Sequence, residues 1–171
     1  YTMTKTFKTV YLALLVAQSL ALFLFEGMLP LPFLAPGAKL GLANLITLLA
    51  LYTLPRWQDA LLVILVRIAL ATMFGGGPTI LMYSLAGGLL SFAVMLMLRH
   101  SGRFSILGVS AAGGFAHNLG QLLIASLVIG NPDLLLYLPI LGPCGILTGL
   151  LLGTCAGLVL KKLPPDYFPR V

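Results

Sequence analysis

The chain has 171 residues, of which 60% are hydrophobic and 8% charged, with a formal net charge of +6. A soluble domain carries about 25% charged residues, and a chain this short has no interior large enough to hide so much apolar surface, which excludes a water-soluble globule. The basic residues sit between apolar runs instead of gathering on one polar face, so they read as membrane-flanking charges and not as a nucleic-acid-binding surface.

The apolar runs follow one another along the chain. The first is Thr9–Phe25, ended by Glu26-Gly27 and the prolines Pro30 and Pro32. It reads as a span and not as a signal peptide, since no small-residue cleavage site follows it and further apolar runs do. The second is Leu40–Leu54, closed by Pro55-Arg56, and the third is Ala60–Phe74, closed by Gly75-Gly76-Gly77-Pro78, expected as an outward loop. The fourth is Thr79–Leu98, the fifth Ser105–Ile129, and the sixth Leu135–Leu160, closed by Lys161-Lys162. The second and third fall short of the roughly 20 residues that cross a bilayer. Two short helices are preferred over one re-entrant pair, because Arg56 and Asp59 mark a polar turn between them. The fold class is thus all-α and integral to the membrane: one transmembrane domain, a compact bundle of six helices over residues 1–171.

With six spans, Lys5, Lys8, Arg56, Arg99, Arg103, Lys161, Lys162 and Arg170 share one side, and the other side keeps Lys39 with Glu26 and Asp133. The positive-inside rule then puts both termini in the cytoplasm and the chain in the cell membrane, surrounded by lipid. Three runs carry small residues four apart: Ala13, Ala17 and Ala21; Gly108, Ala112, Ala116 and Gly120; and Gly145, Gly149, Gly153 and Gly157. Such faces let helices approach closely in lipid. Cys144 and Cys155 lie within the last run and form neither a disulfide framework nor a metal spacing.

Polar residues inside spans are the site candidates, since an ionisable group there costs roughly 2.5–3.5 kcal/mol. Arg67 lies about 10 Å from the Gly75 end at the rise of a helix, and its guanidinium suits a carboxylate or phosphate. His117 and Gln121 share a helix face, with Asn118 beside them. Together they read as a polar cavity wall, and alternatively as hydrogen-bonded groups between helices. Lys39 and Asn44 flank the outer end of the second span, where Lys39 suits either an anion clamp or a snorkelling position, with Glu26 as its pair. Tyr83 offers a ring and a hydroxyl to the same cavity, or anchors the interface. The expected pocket lies between the third, fifth and sixth helices. A lone His117 makes no metal site, and no cofactor is expected.

Four separated motifs carry a family resemblance. They are Pro36-Gly37-Ala38-Lys39-Leu40-Gly41-Leu42-Ala43-Asn44; Arg67 followed by Met73-Phe74-Gly75-Gly76-Gly77-Pro78; Tyr83-Ser84-Leu85-Ala86-Gly87-Gly88; and Gly113-Gly114-Phe115-Ala116-His117-Asn118-Leu119-Gly120-Gln121. Together they resemble the heptaprenyl diphosphate synthase component I family, also called the Gx transporter family, from about Thr9 to Lys162. That family in turn resembles the substrate-binding S components of energy-coupling factor (ECF) importers. The resemblance implies a six-helix S-component-like fold that captures a small vitamin-like, quinone-related or isoprenoid-related molecule. It also implies partners: a transmembrane T subunit, met through an Ala-x-x-x-Ala motif that Ala13, Ala17 and Ala21 match, and two ATP-hydrolysing subunits. Other members of the family resemble a membrane component of quinone- or flavin-linked extracellular electron transfer, which is the alternative role. The synthase label fits poorly. Asp59, Asp133 and Asp166 are far apart, whereas binding magnesium diphosphate needs clustered oxygen ligands. No Walker-type phosphate loop is present either, so no enzyme activity is expected of the chain itself.

Overall fold

The computed structural model describes residues 4–28 and 41–164. Among them are six α-helices: α1 (Lys5–Met28), α2 (Asn44–Thr53), α3 (Trp57–Ala71), α4 (Gly77–Ser101), α5 (Ile106–Ile129) and α6 (Leu138–Lys162). A π turn, Thr72–Gly76, extends α3, and a 3-10 turn, Pro132–Tyr137, leads into α6. With these turns included, five of the helices are long and apolar enough to cross a membrane.

The exception is α2. Its 10 residues span about 15 Å, half of a typical hydrocarbon core of about 30 Å. The second run, expected as a short helix over Leu40–Leu54, is shorter still as a helix, and α2 occupies the middle of the bundle, touching α1, α3, α4, α5 and α6. Apolar side chains all round its axis explain this position. Ile46, Leu48, Leu49, Ala50 and Leu51 are all buried, and Thr47 and Thr53 turn their hydroxyls back to the Ala43 and Leu49 carbonyls. The third span, expected over Ala60–Phe74, starts earlier, at Trp57, and with the π turn carrying it through Phe74 it reaches 18 residues.

Apart from Arg67, the described basic residues gather at one end of the bundle. Lys8 on α1 pairs with Asp59 on α3 at 2.7 Å. Arg99 near the end of α4 lies over the Tyr52 ring near the end of α2, 5.1 Å from its centroid. A β-carbon on Gly153 or Gly157 of α6 would meet Leu107 or Ile106 at the start of α5, which brings Lys161 and Lys162 to the same end. At the opposite end lie the start of α2, the α3–α4 junction and the Gly130 turn.

The expected outward loop at Gly75–Pro78 is not a loop. The π turn runs directly into α4 through Gly77, which has φ 61° and ψ 172°. That backbone region is open essentially only to glycine, and Pro78 then starts α4 with a preset φ. A β-carbon at Gly77 would meet nothing within 4 Å, so the cost of replacing it is purely conformational. Gly77→Val should lower stability by about 1–3 kcal/mol in a detergent unfolding titration, whereas the exposed neighbour Thr79→Val should change it little.

The closest helix contacts are α4–α5 and α5–α6. Gly120 packs on the Ala86 carbonyl and Gly87, and Gly114 and Gly149 pack on the backbones of α6 and α5 respectively. The second and third small-residue stripes are thus largely internal seams, while Ala13, Ala17 and Ala21 lie on the exposed side of α1.

Candidate functional site

Five elements bring polar side chains together at the end of the bundle away from the basic residues. Every fourth or third residue of α1 is buried, along Leu15, Ser19, Phe23 and Glu26, so the last two reach the interior near the helix end. Arg67 comes from the buried face of α3 and is 3% exposed. Its guanidinium carbon lies 5.5 Å from the Phe23 ring centroid, an arrangement in which the ring face attracts the cation. Gly88 on α4 leaves it room, because a β-carbon there would already be in contact with Arg67 Nη2 at 3.5 Å.

His117 projects from α5 between two glycines. A β-carbon on Gly41 would come to 3.0 Å from His117 Cδ2, and one on Gly87 to 2.9 Å from Cε1 and Nδ1. The missing side chains therefore fit the imidazole edge to edge, and Gly41 has φ 83°, which favours glycine on its own account. Glu26 fixes the start of α2: the Gly41 N–H donates to Oε1 at 2.7 Å and the Leu42 N–H to Oε2 at 3.1 Å. An anion there also complements the positive end of the α2 dipole.

Between these groups is a narrow, partly enclosed cavity lined by Phe23, Glu26, Gly41, Asn44, Arg67, Tyr83, Ser84, His117 and Gln121, with Ala43 and Ile80 as apolar wall. The centre of a water molecule can reach about 10 Å³ of it, about enough for one water. Arg67 Nε, Asn44 Nδ2 and both ring nitrogens of His117 are buried without a hydrogen-bond partner in the protein. The Gly87 backbone lies against the ring. Such groups are rare in folded proteins and each needs an explanation.

Five of the sequence candidates, Asn44, Arg67, Tyr83, His117 and Gln121, meet in this cavity. Asn118 does not. One step round the helix from His117, it faces α6 and donates from Nδ2 to the Leu141 carbonyl at 2.7 Å, in the stretch where Pro143 interrupts the α6 ladder. Accordingly α6, expected as a pocket wall, lines none of the cavity; α1, α2 and α4 take that place. Lys39 lies outside the described residues, as does its expected pairing with Glu26. Sequence reading missed Phe23, Ser84 and Gly41 as cavity residues and gave Glu26 only as the pair of Lys39. The usable signal was Glu26 itself, an acidic residue at a span end followed by a glycine-containing helix start that needs a cap.

Asp59 is at the basic end with Lys8, and Asp133 is in the 3-10 turn at the other end, so the two cannot share an ion. Compared with known families, the chain matches the model described as heptaprenyl diphosphate synthase component I over residues 15–159. No curated protein and no solved structure matches it.

Proposed function

The chain belongs to the heptaprenyl diphosphate synthase component I family, and on that premise we propose that it is the substrate-capturing membrane subunit of an ECF-type importer. The molecule it takes is small and vitamin-like, or related to quinones or isoprenoids. One observation carries this reading: a narrow, partly enclosed cavity holds four buried nitrogens with no partner in the protein. A bundle needing only internal glue would pair such nitrogens between helices, as the Asn118 amide nitrogen pairs with the Leu141 carbonyl.

The position of the cavity agrees. It lies at the end away from Lys8, Arg56, Arg99 and Lys161, which the positive-inside rule puts outside the cell, where capture begins. The partner face is Ala13, Ala17 and Ala21, exposed on α1 on the opposite side from Phe23 and Glu26. A T subunit docked there, with its two ATPases, supplies the energy that this chain has no phosphate loop to harvest.

Native mass spectrometry of the gently extracted protein tests the reading. A small molecule should leave with the wild-type chain and be absent from Arg67→Ala. Wild-type protein that is empty when taken from its own membranes would count against capture and leave a scaffold role for a partner synthase.

A further inference from the structure

The unpartnered nitrogens also indicate what fills the cavity. Resting on the capture reading above, we propose that the captured molecule presents a carboxylate, held between Arg67, Asn44 and His117. Arg67 Nε and Asn44 Nδ2 can only donate, and a neutral imidazole adds one donor and one acceptor. At least three of the four free nitrogens therefore offer a hydrogen. The acidic group among the described lining residues, Glu26, has both oxygens engaged by backbone N–H groups.

A ligand that fits must supply acceptors. A carboxylate has two oxygens with about four lone-pair positions, matching converging donors. The guanidinium carbon lies over the Phe23 ring, and a guanidinium's N–H groups form paired, charge-assisted bonds to a carboxylate. An ammonium head would confront the buried Arg67 charge. A phosphate dianion carries more charge than one guanidinium offsets with Glu26 in the same cavity. The small free space favours a compact head, with the rest of the molecule against Phe23, Ala43 and Ile80.

Three probes of equal size and different heads test the proposal: benzoate, benzamide and benzylamine, added to the detergent-purified wild-type chain in thermal unfolding. Benzoate should raise the midpoint by several degrees, benzamide by less and benzylamine not at all. Arg67→Lys keeps the charge without the planar fork and should lose most of the benzoate shift. A benzylamine shift equal to or above that of benzoate overturns the proposal, as do equal shifts from benzoate and benzamide. If no probe acts, the molecule retained by wild-type protein is treated with carbodiimide and aniline, which adds a fixed mass to a carboxylic acid. A retained acid supports the proposal. A retained molecule that does not react overturns the carboxylate and leaves capture standing. No probe shift and no retained molecule overturns both.

Discussion

Gly114→Ala should abolish the stable fold, while Gly157→Ala, in the same α5–α6 seam, should leave it intact. The two substitutions add the same methyl group. At Gly114 it lands on the Gly145 carbonyl oxygen, with the carbonyl carbon at 3.0 Å and Gly149 Cα at 3.2 Å. Those atoms are backbone and cannot rotate away, so α6 must move as a body. At Gly157 the nearest atom is Ile106 Cγ2 at 3.8 Å, ordinary van der Waals contact. Overpacking a core costs typically about 1–3 kcal/mol, and a clash with backbone belongs at or above the top of that range. A membrane helix pair has no hydrophobic drive to hold it together at a larger separation, so a widened seam loses its dispersion contacts and the Asn118–Leu141 bond with them. Gly157→Ala should stay within about 1 kcal/mol of wild type and gain slightly from helix propensity. Fluorescence-detected gel filtration after heating separates the two. Equal behaviour would mean that the seam is looser than its geometry.

The two glycines also show what could be read in the sequence. A four-residue stripe placed Gly157 beside Gly149 and Gly153 as an equal member, although only the latter two touch backbone or side chains closely. Gly113 and Gly114, at adjacent positions, fell outside the stripe, and Gly114 is among the tightest contacts. In lipid, apolar side chains suit the interior and the exterior equally, so composition marks where a helix is but not which way it faces. Residue types that lipid penalises carry the orientation. This is why Arg67, His117, Gln121, Asn44 and Tyr83 were legible as one group, and why the charged ends of the spans gave their antiparallel order. Asn118 was grouped with His117 because the two are adjacent, yet a step of one residue turns about 100° round a helix and faces it to α6. The central position of α2 was not legible for a related reason: a short apolar run looks the same as a short span until its neighbours are known.

Glu26→Ala should be the most damaging single change among the cavity residues, and it should act first on folding. The carboxylate is 3% exposed and receives two backbone N–H groups that precede α2. Removing it strands both donors in a membrane interior, at about 1–3 kcal/mol for each. Glu26→Gln keeps one acceptor oxygen and turns an amide toward the second N–H, so its loss should be about half that of alanine. The larger effect comes through Arg67. Glu26 is the acidic group whose charge acts on that buried guanidinium, and removing one member of a buried pair leaves the other uncompensated. The double variant Glu26→Ala with Arg67→Ala should therefore be less destabilised than the sum of the two single changes, by about 0.5–3 kcal/mol. An unfolding titration of the four proteins in mixed detergent gives that difference. Simple additivity would show that Glu26 acts only as a cap for α2. A positive coupling ties the capping of α2 to the cation of the cavity, so that a ligand drawing on Arg67 also draws on the junction that positions Gly41 against His117.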